Sequence, residues 1–277
     1  MLNAAAPRAA ASDETRSLMP TFEVPGAELA VALSDEGGHP IVQLHGLTSS
    51  RAHDRVLNLD LGRGLSGTRL LRYDARGHGR STGRKVPEDY QWQNLADDLL
   101  RLLDHWFPGE RVHGVGPSMG TGTILHAASR EPDRFTGLTL MVPPTAWETR
   151  AAQAANYRVA AALIESDGVE AFLATTRGAT PPPATIGAPE TVPDVPGDLL
   201  PSVFRGAALS DLPAREAVAR IDVPTTILAW VDDPGHPLST AESLAALLPQ
   251  ATLTVACTPE DVETWPHILS RDIARWG

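Results

Sequence analysis

A doubly wound α/β fold with a mostly parallel sheet is predicted by three observations. Seven apolar runs of strand length recur along the chain, helical patterns separate most of the later ones, and reactive side chains gather just after the runs. The runs cover residues 28–33, 41–45, 69–74, 111–115, 138–142, 225–231 and 253–257. Parallel strands need crossover connections, and the helical patterns supply them. Asp89 is placed to cap a helix in which Trp92, Leu95, Ala96, Leu99, Leu103 and Trp106 recur every three or four residues, before Phe107-Pro108-Gly109 ends it. Residues 121–130 carry Ile124, Leu125, Ala127 and Ala128 and stop near Glu131-Pro132. Ser239 and Glu242 have capping-box spacing ahead of Leu244, Leu247 and Leu248.

The alternation stops between Val142 and Pro224. A long helical pattern over 147–165 leads to Gly168, then to a short apolar stretch ending at Leu173. Seven prolines between Arg177 and Pro201 exclude regular helix or central strand, so that part is expected as extended loop. The division expected is a mobile tail over 1–20, a core formed by 21–142 and 224–277, and a cap or lid insertion over 143–223.

With 277 residues and 42% apolar content, the chain can bury one substantial core. A formal net charge of −11 and a pI near 5.2 disfavour phosphate backbones and anionic lipid, leaving a small molecule as the expected partner and fixing no oligomeric state. Cys257 is the only cysteine, which excludes an intrachain disulfide and a cysteine metal cluster and suits a reducing cytoplasm. The first 20 residues are broken by Pro7, Arg8, Asp13, Glu14 and Arg16, so they lack the continuous apolar run of a signal peptide. No apolar run is long enough to span a bilayer.

In an open parallel sheet, ligands bind beyond the carboxyl ends of the strands. His45-Gly46-Leu47-Thr48 follows the second run, the segment from Asp74 to Ser81 the third, Ser118 the fourth, and Asp232-Asp233 the sixth. Gly116-Pro117-Ser118-Met119-Gly120 is a G-x-S-x-G pattern between a strand and a helix. Such a nucleophile elbow holds a serine hydroxyl exposed on a strained turn.

Together, His45-Gly46, the 73–81 segment, the Ser118 elbow and the late Asp233 resemble the α/β-hydrolase superfamily, in this chain order and over nearly the whole chain from residue 28. The resemblance implies a serine hydrolase of the esterase or thioesterase kind, with Ser118 as nucleophile and Asp233 as acid, Asp232 being the adjacent alternative. It further implies oxyanion donors at Met119 and at Leu47 or Thr48, and no metal or organic cofactor. His45 and His78 are expected to shape loops, as are Asp74 and Arg76. A departure stands at the base, which the superfamily draws from the loop after the last strand: residues 258–264 contain no histidine. His267 is the first beyond the gap and the expected base, with His236 and then His53 as rivals. The expected reaction is cleavage of a small, largely hydrophobic ester or thioester through an acyl-enzyme. A non-hydrolytic cyclase or lyase, or a ligand-binding protein without a working triad, is the alternative that the gap motivates.

Overall fold

A computed structural model describes residues 20–277, and the tail expected over 1–20 lies outside them except for Pro20. Eight strands form one sheet in the order β1-β2-β4-β3-β5-β6-β7-β8. β1 (Thr21–Val24) and β2 (Ala27–Asp35) form an antiparallel hairpin whose turn uses Pro25 for a fixed φ and Gly26 at φ 84°. β2 also runs antiparallel to β4 (Thr68–Tyr73). From β4 through β3 (His39–Gln43), β5 (Val112–Pro117), β6 (Phe135–Met141), β7 (Thr225–Trp230) and β8 (Ala251–Ala256), every pairing is parallel.

β5 and β7 are buried at every residue, because helices cover both faces of the sheet; strands covered on both sides read as continuous apolar runs. On one face, Leu95 and Leu99 of α2 (Trp92–Trp106), Ile124 of α3 (Met119–Arg130) and Leu244 of α8 (Leu238–Leu247) share a core with Val42 and Leu140. On the other, Trp265, Leu269 and Ile273 of α10 (Trp265–Trp276) pack with Ile41, Val115 and Leu228. α1 (Arg51–Val56) follows β3, and α9 (Pro259–Glu263) fills the space between β8 and α10.

Two expected caps are not formed. α2 begins after Gln91, and Asp89 instead accepts two 2.8 Å bonds from Arg84. α8 begins at Leu238 behind Pro237, which puts Ser239 inside the helix rather than at its cap. Pro237 has already fixed the extended entry that an N-cap residue requires.

Between β6 and β7 the chain forms α4 (Arg150–Asp167), α5 (Val169–Thr176), α6 (Leu200–Ala208) and the short α7 (Arg215–Val218). A 3-10 turn over Pro183–Thr185 and a few hydrogen-bonded turns interrupt the proline-rich stretch from 177 to 199, which forms no longer helix and no strand. α4 and α6 have their own apolar cluster, in which Ala161, Ile164, Val203 and Phe204 meet Tyr90 and Leu47 of the sheet-bearing part. Arg150 is buried among carbonyls, donating to Ser210, Ala207 and Thr145 and lying over the Trp92 ring at 4.3 Å. Backbone bonds from Gly79 N to Asp194 O (2.7 Å) and from Asp194 N to Thr48 O (2.8 Å) join the proline-rich stretch to the loops at the strand ends.

Candidate active site

Ser118 leaves β5 with φ 50° and ψ −107°, a conformation that costs a non-glycine residue on the order of 1–3 kcal/mol. Its surroundings hold it there. Ser118 N donates to Met141 O at 2.9 Å, and Thr121 Oγ1 donates to Gly116 O at 2.8 Å and Met141 O at 3.0 Å. The pattern's two glycines permit the close packing, since a Cβ at Gly116 or Gly120 would stand 3.1 or 3.0 Å from the Leu44 Cβ. The end of β3 therefore lies directly against the elbow. Met119 N is the first amide of α3, and the first amides of a helix have no carbonyl partner within it. Gly46 approaches Ser118, with Leu47 and Thr48 half-buried behind it, and Thr48 is held at φ 59°.

The turn after β7 carries the other two groups. Asp233 Oδ1 accepts from Gly235 N at 2.8 Å and from His236 N at 3.3 Å, so the aspartate closes a turn on its own backbone. Its Oδ2 accepts from Trp230 Nε1 at 2.8 Å and from His236 Nδ1 at 2.7 Å. His236 Nε2 lies 2.8 Å from Ser118 Oγ. With the Nδ1 proton donated to the carboxylate, Nε2 is left as an acceptor for the serine hydroxyl, an assignment that follows from the bonding network. The Trp230 and His236 rings meet at 87° in a T-shaped contact, and Trp230 stacks at 18° on the buried Trp265.

Burial acts to raise the Asp233 carboxyl, but the bonds from His236, Trp230 and Gly235 outweigh it and hold the group at about 2. A depressed carboxyl contributes stability above its unfolded value, near 3.9, and loses it as the pH falls through the folded value. Asp233→Asn is therefore expected to flatten the loss of stability between pH 5 and pH 2, by about 2 kcal/mol in urea unfolding. An unchanged slope would show that Asp233 gains nothing from these bonds.

His267 does not join this cluster. It is exposed on the first turn of α10, its amide bonds Thr264 O at 3.0 Å, and its ring bonds neither Ser118 nor Asp233. α9, with its Thr258 cap and Pro259, intervenes between the end of β8 and His267. Asp232, at φ 59°, makes no bond to His236, and His53 faces Asp194 at 3.9 Å. His45 donates from Nδ1 to Gly46 O and accepts Ala75 N at Nε2, while burial lowers its basicity. Burial likewise pushes His78 down to about 3. Asp74 binds Arg51 and the Arg80 amide, and Arg76 makes two 2.7 Å bonds to Asp98. Among the described residues, no three His, Cys, Asp or Glu side chains converge as a metal site.

Sequence reasoning assigned no role to Trp230 or Trp265, and it ranked His236 below His267. The available signal was the spacing: residues i and i+3 across a Pro-Gly turn fold back on one another, which an aspartate and a histidine can bridge.

The family model described as alpha/beta hydrolase fold matches residues 39–161. The 3-oxoadipate enol-lactonase 2 of Acinetobacter baylyi is 31% identical over 194 residues, which are 67% of this chain and 69% of that protein. RutD of Caulobacter sp. strain K31, which carries a carbamate-hydrolase name, is 29% identical over 200 residues, 69% of this chain and 73% of that one. Among solved structures, a hydrolase from Pseudomonas aeruginosa superposes with a TM-score of 0.74 at 25% identity, covering 95% of this chain and 99% of its own. The enol-lactonase from Burkholderia xenovorans LB400 superposes with a TM-score of 0.72 at 21% identity, covering 93% and 99%.

Proposed function

The chain belongs to the α/β-hydrolase superfamily, and from that premise we propose that it is a serine hydrolase that cleaves a small, largely hydrophobic carboxylic ester or thioester through an acyl-enzyme. The observation that carries the reading is the 2.8 Å approach of His236 Nε2 to Ser118 Oγ, with Asp233 bound behind the ring. His236 takes the hydroxyl proton as Ser118 Oγ attacks the carbonyl carbon. The amide of Met119 and that of Leu47 or Thr48 stabilise the oxyanion of the tetrahedral intermediate. As the bond to the leaving oxygen or sulfur breaks, His236 returns the proton to it. Water, deprotonated by the same nitrogen, then attacks the acyl-enzyme, and His236 returns that proton to Ser118 Oγ as the acid is released.

Two features bear on the substrate, the first on its polarity and the second on the bond cleaved. Leu47, itself one of the two candidate oxyanion donors after β3, packs against the cluster of Tyr157, Phe172 and Phe204 from α4, α5 and α6, which supports reading the segment over 143–223 as a cap with an apolar side near the oxyanion loop. The Acinetobacter and Burkholderia proteins are named as enol-lactonases, and a lactone is an ester whose leaving alcohol stays tethered to the acyl group. A lactone of modest size is the first substrate to try. The non-hydrolytic alternative drew its force from the missing histidine after β8, and the His236 contact removes that motive.

A fluorophosphonate probe tests the proposal. Wild-type protein is expected to gain the phosphonyl mass on Ser118, and Ser118→Ala to gain none. A folded wild type that stays unmodified under prolonged exposure would contradict a hydrolytic serine.

A further inference from the structure

A cavity of about 630 Å³ is bordered by Asp233 and Trp230, and neither Ser118 nor His236 lines it. Its walls come from three places: the segment after α1 with Leu57 and Leu59, the proline-rich stretch with Ile186, and α9. That volume suits a drug-sized molecule, and the lining is mostly apolar, as ligand sites generally are. Pro181, Pro182, Pro189 and Pro259 stand in the wall, and their fixed φ angles keep it from collapsing when empty. Ile186, 61% exposed, adds an accessible apolar side chain to the wall.

The charge of the lining is one-sided. Asp233, Glu190 and Glu263 border the cavity, and no lysine or arginine does. Glu190 and Glu263 make no ion pair or side-chain hydrogen bond among the described residues. Arg55 and Arg63 border a neighbouring depression that shares Glu263, and Arg55 is already bound to Asp60 at 3.2 Å. A carboxylate ligand would meet repulsion here, whereas an ammonium would find at the rim two carboxylates that have no partner among the described residues.

We propose that this cavity is a second ligand site, separate from the nucleophile, for a small apolar molecule carrying a cationic amine. The proposal extends the hydrolytic reading by placing a ligand against the acid of the same triad, but binding itself does not require Ser118 to react.

Three molecules of nearly equal shape test it by calorimetry at pH 7: 4-phenylbutylamine, 4-phenylbutanol and 4-phenylbutanoate. The amine is expected to bind at least about tenfold tighter than the carboxylate, a difference of about 1.4 kcal/mol. Combined Glu190→Gln and Glu263→Gln, both at exposed positions, should bring the amine to the affinity of the alcohol, while Ile186→Ser should weaken all three. Amine binding should persist after Ser118 has been phosphonylated. Equal affinity for carboxylate and amine, an unchanged preference in the glutamine variant, or binding abolished by phosphonylation would each overturn the proposal. If the probe fails to modify Ser118, the hydrolytic reading falls, and the titrations with the glutamine variant still decide this one.

Discussion

Alanine at position 236 is expected to lower kcat for ester hydrolysis by about 10⁴- to 10⁶-fold, the range seen when a triad histidine or serine is removed. The reason is geometric. His236 Nε2 is within hydrogen-bond reach of Ser118 Oγ, and no other histidine among the described residues bonds it. Ser118→Ala should cost about as much, and the double variant scarcely more, because the two act as a unit. Asp233→Asn should cost about 10⁴-fold, since the ring then loses the carboxylate that fixes its tautomer and stabilises its charged form. His267→Ala is the control, expected to stay within about twofold of wild type in both kcat and KM. Circular dichroism on each variant separates lost chemistry from lost fold. Full activity in His236→Ala would sink the proposed triad.

The largest effect on stability is expected at Arg76. Its guanidinium binds Asp98 through two 2.7 Å bonds, both residues are buried, and a third contact reaches Pro25 O. This pair joins the loop after β4 to the middle of α2. Replacing Arg76 by methionine leaves a buried carboxylate without its partner, which costs about 3–5 kcal/mol. Burial already pushes the Asp98 carboxyl up, with Arg76 opposing it. Without Arg76 the folded value rises further, so the penalty grows as pH increases above the unfolded value near 3.9. Urea unfolding should show a smaller deficit at pH 4 than at pH 7. Adding Asp98→Leu to Arg76→Met should recover much of the loss, because the stranded charge is gone. A deficit independent of pH would mean that packing, and not the stranded charge, dominates.

The fold was legible because its central strands are covered on both faces. Val112 to Val115 and Thr225 to Trp230 are buried throughout, so each reads as a run with an elbow or a turn behind it. β1 escaped notice because it has four residues, three of them not fully buried, and takes its partner from a hairpin turn. The caps at Asp89 and Ser239 misled for a local reason: an arginine took one carboxylate, and a proline had already set the entry to the other helix.

At the site, the elbow glycines were readable because close approach to Leu44 demands them. The partner of Ser118 was not, since chain order favoured His267 and only tertiary placement separates a ring 2.8 Å from the hydroxyl from one exposed on α10. Trp230 and Trp265 look like ordinary core residues in sequence. Their bearing on Asp233 arises from the stacking of a strand residue on a helix residue more than thirty positions away.

Carrying aspartate and histidine on one four-residue turn alters how such a site could be damaged or moved. In a triad spread over three loops, each loop is a separate source of misalignment. Here the 2.7 Å bond between Asp233 and His236 travels with the turn, so a shift of that loop as a rigid piece preserves it and spends its whole displacement on the single gap to Ser118. In the proposed triad the chain beyond β8 supplies no reacting group. Apart from Pro259, Val262 and Glu263, which line the second cavity, that part of the chain is held by the stacking of Trp265 on Trp230 and by the packing of α10 on the sheet.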